Sequence, residues 1–303
     1  MDDLQRYYYR LNFRNAFLER KGTEFEGLFS RIMAHAHPYD FEPVRPYGRL
    51  GDLKCDGYRA SDKTVFQCYG PSTPTLDKLL DKMRRDFEGA VEHWGDRMAR
   101  WSLVHNADDG LPAPATQLLA DFRKAHPDLD LGQLAYTELF DTVMDLPVPK
   151  LEDLFGPVPS QRTLAALDFE ALRPVVTSIQ RMEPPSDPPL AGPSPTKLAA
   201  NDLSDDAVGM LRLGRRREPL VGEFIDRYPD PSFGEEIAQG FRDRYQALRD
   251  EGRPAEAIFM ALQDFAGGMS GTAKRQAAVL AVLSYFFERC DIFEDHAEGT
   301  AGV

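Results

Sequence analysis

The sequence predicts a mixed α/β domain followed by an all-α region, and three observations carry that expectation. Residues 54–60 and 63–69 are extended in character, with turn chemistry at Ser61-Asp62 between them. Helical and strand-like segments then alternate as far as Val143, the pattern of a mixed sheet flanked by helices. Finally, Glu183–Thr196 carries six prolines, and every segment beyond it has helical periodicity.

Taken in order, residues 2–20 read as a helix with Tyr9, Phe13 and Phe17 on an apolar stripe. Arg6, Arg10 and Arg14 run four apart on another face, a row suited to phosphate or simply to solvent. A second helix follows Gly22, with Phe25, Leu28, Phe29, Ile32 and Met33 as its buried stripe. Thr23 and Glu26 have capping-box spacing, which accounts for Glu26 and leaves Glu24 free for other work. His35 and His37 flank an alanine, but no neighbouring Cys or His completes a zinc set. Phe41–Arg45 reads as the first strand and Pro46–Gly51 as the loop into the hairpin.

After Pro71–Pro74, a helix over Leu76–His93 turns Leu76, Leu79, Leu80, Met83 and Phe87 inward and leaves Lys78 and Lys82 on an outer row. Trp101–His105 has the short apolar run of a central parallel strand. Thr116–Ala125 reads as helix, Gly132–Tyr136 as strand and Glu138–Val143 as helix. Leu151–Phe155 and Phe169–Met182 are helical, the latter despite Pro174.

At 303 residues the chain exceeds one ordinary core. The proline-rich stretch divides it into residues 1–183, a linker at 184–197 and a helical domain at 198–303. A hydrophobic content of 42% and a mean hydropathy of -0.43 fit a soluble protein. Ala277–Phe287 is too short an apolar run to span a bilayer, and no secretory signal opens the chain. Three cysteines argue for a reducing cytoplasm, with Cys55 and Cys68 as neighbouring core thiols of the hairpin. The net charge of -13 opposes general nucleic-acid binding. The deficit is uneven, however: residues 1–70 hold 11 Lys/Arg against 10 Asp/Glu.

A two-residue turn at Ser61-Asp62 would pair residues whose numbers sum to 123. Asp56 then faces Gln67 and Lys54 faces Tyr69, all four projecting from one face. A carboxylate, an amide oxygen and an ammonium together are what metal-assisted phosphodiester cleavage requires. A loop of odd length would scatter the group.

The runs Lys21–Glu26 (with Gly22-x-x-Phe25-Glu26), Gly51–Gly57 and Phe66-Gln-x-Tyr69 resemble the Mrr-type group of PD-(D/E)xK restriction endonucleases. The resemblance covers roughly residues 10–140. It implies an α/β restriction-endonuclease-like core with a mixed central sheet flanked by helices. By position it implies Asp56 as metal-binding aspartate and Gln67 in place of the second carboxylate. Tyr69 stands where that group has its catalytic lysine, and cross-strand Lys54 is the expected substitute. The expected ligands of Mg2+ or Mn2+ are Asp56, Gln67 and Glu24, with the Phe66 carbonyl; Tyr69 and Glu26 stand behind them, and Asp52 serves either there or simply as a turn residue. Lys54 would stabilise the developing negative charge.

In the helical region, Arg275–Arg289 is apolar on most faces and is expected at the domain's centre. Gly267–Lys274 lacks phosphate-loop spacing and no strand precedes it, so it reads as an inter-helix loop. Ala281–Glu294 resembles the helical C-terminal domains of effectors in ABC-three-component conflict systems. That resemblance implies docking to a middle component and an SMC/ABC-type ATPase. The sequence therefore points to a metal-dependent DNA endonuclease acting in bacterial defence. The alternative is an inactive nuclease fold that binds DNA or serves as a scaffold.

Overall fold

The computed structural model describes residues 1–46, 51–180, 203–268 and 272–289. It divides into two compact units, one over Asn12–Phe155 and one joining Met1–Leu11 to the chain from Gly156 onward. The helices Gln161–Ala165 and Phe169–Gln180, which precede the proline-rich stretch, therefore group with the C-terminal helices. The stretch itself, 184–197, lies outside the described residues. None of the described helices is long and apolar enough to cross a membrane.

The first unit is built on a five-stranded sheet in the order β1-β2-β3-β4-β5. The strands are β1 (Phe41–Pro43), β2 (Gly57–Arg59), β3 (Thr64–Tyr69), β4 (Arg100–His105) and β5 (Asp130–Leu134). The β1, β2 and β3 strands are antiparallel, whereas β3, β4 and β5 are parallel. Helix α3 (Leu76–Trp94) joins β3 to β4, and α4 (Ala113–Ala125) joins β4 to β5. On their face of the sheet, Val65, Trp101, Leu103 and Leu131 pack with Leu79, Met83, Phe87, Leu119 and Phe122. Each such side chain contributes about 1.5–3 kcal/mol of burial free energy.

On the opposite face, Phe29 of α2 (Thr23–Ala36) packs on Phe41 and Phe66. Phe13 and Phe17 of α1 (Asp3–Glu19) meet Tyr136 at the start of α5 (Tyr136–Met144). The helix α6 (Val148–Phe155) closes this unit. Trp101–His105 is a central parallel strand as the sequence predicts, because it is hydrophobic enough to be covered on both sides.

In the second unit, helices span Asp205–Gly214, Glu218–Asp226, Phe233–Asp250, Ala255–Phe265 and Ala273–Glu288. Ser204 caps the first of these through the amide of Ala207. The helix Ala273–Glu288 occupies the centre: Ala277 through Leu283 are fully buried. Its closest neighbour is the helix ending at Gly214, where a Cβ would lie 2.1 Å from Ser284 Oγ and 3.0 Å from the Leu280 carbonyl. Gly214→Val is accordingly expected to destabilise the chain by about 1–3 kcal/mol through overpacking. The midpoint of urea unfolding measures this, and adding Ser284→Ala should recover part of the loss.

Candidate functional site

Side chains alternate along β3, so Val65, Gln67 and Tyr69 project towards α3, where Val65 and Tyr69 join the core cluster. Gln67, between them, is a buried polar residue. The hairpin that brings Asp56 beside it differs from expectation in its turn. Residues 60–63 form the connection, four residues rather than two, and the strands are shorter than predicted. The polar side chains there are committed elsewhere: Asp62 binds Arg59, and Asp40 accepts from both Ser61 Oγ and the Ser61 amide. Because the turn length is still even, the register is the expected one, with Gly57 opposite Phe66 and Arg59 opposite Thr64.

The pairing continues past the end of β2. The Asp56 amide donates to the Phe66 carbonyl at 2.8 Å. Asp56 Oδ2 accepts from the Cys68 amide at 2.6 Å and from Gln67 Nε2 at 2.8 Å. Asp56 and Gln67 thus lie side by side. Cys55 and Cys68 are buried free thiols.

Lys54 requires a correction, since it does not lie across from Tyr69. The chain leaves the extended conformation at Leu53 and Lys54, whose φ values are 53° and 60°. Asp52 holds this turn by accepting from the Lys54 amide at 2.9 Å. The Lys54 stem instead crosses Gly89 on α3, where an added Cβ would meet Lys54 Cγ at 2.6 Å. Its ammonium sits 3.2 Å from Asp86 Oδ1.

Asp86 is buried and also holds Lys82, whose Nζ is 2.5 Å from Asp86 Oδ2. The sequence reading missed this pair by placing Lys82 on an outer row. The available signal was Asp86 itself, a carboxylate three residues after Met83 on the buried stripe of an amphipathic helix.

Burial pushes the Asp56 carboxyl up to about 7. The Cys68 amide and Lys82 oppose that rise, while Glu26 and Asp52 add to it. Glu26 is raised as well, first by burial, with Lys82 lowering it and Asp52 raising it. The glutamate that interacts with Asp56 is therefore Glu26, whereas Glu24 is exposed.

The predicted capping box does not form. Gly22 is the N-cap at φ 53°, with no side-chain cap, and Thr23 is already helical. The Gly22 amide donates to the Gly70 carbonyl at 2.6 Å, which ties the start of α2 to the end of β3. Tyr69 is raised by burial and lowered by Lys82, and its hydroxyl is buried without a hydrogen-bond partner.

Asp56, Glu26 and Tyr69 therefore all feel the Lys82 charge. Arg10, of the row Arg6, Arg10 and Arg14, pairs with Asp206 at 3.0 Å. His35, near the end of α2, hydrogen-bonds Asp153 at 2.7 Å.

Whether these groups suit a divalent cation turns on Gln67. Its Oε1 is buried and has no hydrogen-bond partner, while Nε2 of the same amide donates to the Asp56 carboxylate. Such an arrangement fits a cation that takes hard oxygen ligands. Among the described residues, no three His, Cys, Asp or Glu side chains converge as a metal-binding group, so an amide oxygen would have to serve.

No curated protein and no solved structure matches the chain. Residues 170–294 match the family model of C-terminal domain 10 of the ABC-three component (ABC-3C) systems, which extends the similarity expected from residues 281–294 alone.

Proposed function

We propose that this chain is a Mg2+- or Mn2+-dependent DNA endonuclease serving as the effector of a bacterial ABC-three-component defence system. The observation that carries the reading is the unpartnered, buried oxygen of the Gln67 amide, whose nitrogen donates to the half-buried Asp56 carboxylate. Asp56 and Gln67 would hold the cation, with Glu26 in the part first given to Glu24. When bound, the cation would polarise the phosphodiester and acidify a water. Asp86 positions the Lys82 ammonium, which balances negative charge gathering at the site, while Lys54 braces the same carboxylate. The C-terminal helical region would dock the effector to a middle component and an SMC/ABC-type ATPase, a role supported by the ABC-3C match.

The test is incubation of supercoiled plasmid with the full chain in Mg2+, Mn2+ or chelator, with and without the neighbouring components. Cation-dependent nicking or linearisation is expected, and DNA left intact under every condition would refute the reading. Lys82→Met should slow cutting about 100-fold, the lower end for losing a charge-stabilising donor. Lys54→Met should slow it far less, because Lys82 remains.

A second reading draws support from Tyr69 in the lysine position. On that reading the core binds DNA or scaffolds an assembly without cutting. DNA binding that is unaffected by chelator, with no product, would favour it.

A further inference from the structure

Beyond the Asp56–Gln67 pair, β3 and β4 end at a cavity of about 240 Å3 within the same unit. Its walls include Tyr69, Leu76, Leu79, His105 and Leu111, with Lys21 contributing the positive charge. That volume is below the roughly 300–1,000 Å3 usual for drug-sized ligands, so it suits one planar ring system rather than a whole cofactor.

The wall is mainly apolar, with Ser72, Thr75, Asn106 and His105 as its uncharged polar members. His105 is 1% exposed, and neither ring nitrogen makes a hydrogen bond. The Gln133 side chain interacts with the ring and, with Glu138, raises its pKa, although neither nitrogen has a hydrogen bond of ordinary geometry. Burial holds the ring below its ordinary pKa, and a neutral imidazole offers one donor and one acceptor. A buried polar group left open in this way is costly unless a ligand completes it.

The rim supplies a second kind of recognition. Thr75 precedes α3 and Pro112 precedes α4, and neither helix start has a side-chain cap. Two uncapped helix N-termini together with Lys21 favour an anion at the mouth. An apolar slot with donor and acceptor inside and anion-binding groups outside has the chemistry of a nucleotide site.

We propose that this cavity binds a single nucleotide, with its base against Leu79, Tyr69 and His105 and its phosphate near Lys21 and the starts of α3 and α4. Tyr69 lies two residues beyond Gln67 on the same face of β3, about 7 Å along the strand. A base held there would belong to the strand whose phosphodiester reaches Asp56. That choice of source rests on the endonuclease reading; the pocket's preference for a nucleotide does not. A free mononucleotide would present the same chemistry.

The test uses the full chain with Ca2+ or chelator, a fluorescein-labelled single-stranded oligonucleotide read by anisotropy, and dAMP and inorganic phosphate as competitors. Leu76→Trp and Ala107→Trp fill the mouth from exposed positions, and the unfolding midpoint reports whether each variant folds. Either substitution should weaken nucleotide binding about tenfold, within the range for losing one stacked base. One abasic position in the oligonucleotide should cost the wild type as much and the filled variants little.

Binding of dAMP that is as strong as that of the oligonucleotide, and as sensitive to filling, would identify a free nucleotide as the source. Unchanged affinity in both folded variants would overturn the proposal, as would phosphate competing as well as dAMP or no binding to the wild type. If plasmid is never cut but filling still abolishes dAMP binding, the endonuclease reading fails and the pocket assignment stands.

Discussion

Asp56→Ala is expected to abolish DNA cutting, by at least about 1,000-fold, without unfolding the chain. The carboxylate combines two properties that a purely structural residue need not have. It accepts from the Gln67 amide whose oxygen is left open, and it is buried enough for its pKa to rise to about 7. Holding such a group ready costs stability, and the cost is recovered when a cation neutralises it. The alanine variant should therefore unfold no earlier than wild type at pH 8 in chelator, although it loses the acceptor for the Cys68 amide and Gln67 Nε2. Asp56→Asn keeps an acceptor oxygen for Cys68 and should be equally inactive. Wild-type cutting by either variant would remove Asp56 from the chemistry. An inactive and grossly unfolded alanine variant alongside a folded, active asparagine variant would show that the carboxylate is merely structural.

How far the sequence foretold this arrangement depends on which force fixed each residue. The register of the hairpin was legible because strand periodicity and an even turn leave few alternatives. It survived the replacement of a two-residue turn by a four-residue one. Gln67 was therefore placed correctly even though the turn was not. Lys54 was misplaced because pattern alone cannot reveal where a short strand stops. Asp52 captures the backbone two residues on, and the left-handed turn at Leu53 and Lys54 follows from that local hydrogen bond. Glu26 was assigned to a cap on spacing, whereas Gly22 at positive φ starts the helix without one. Lys82 and Asp86 come from a helix remote in sequence, so only tertiary packing brings their charges to the hairpin. The helical unit was more transparent: long amphipathic periods and side-chain caps such as Ser204 are local signals.

The second large effect concerns stability against pH in the absence of divalent cations. In the unfolded chain Asp56 titrates near the ordinary 3.8, whereas in the folded chain it titrates near 7. Between these values the folded state binds the proton more tightly. The stabilisation from that proton is complete below about pH 4 and disappears as pH rises through 7. Two-state unfolding in chelator should therefore weaken across this window by roughly 3–4 kcal/mol from Asp56 alone. Glu26, also raised by burial, adds a change of the same sign. Other carboxylates act in the opposite sense, Asp62 above all, because Arg59 holds it at about 2. The informative quantity is thus the difference between wild type and Asp56→Asn. Relative to wild type, the asparagine variant should gain stability from pH 4 to 7 and then level off. Millimolar Mg2+ at pH 8 should stabilise wild type and leave the variant unchanged, because a cation bound only by the folded carboxylate acts as a folding ligand. A difference that is flat with pH would mean that the carboxyl is well solvated. A pH-dependent difference with no response to Mg2+ or Mn2+ would leave a strained aspartate in place and take the cation away from this site.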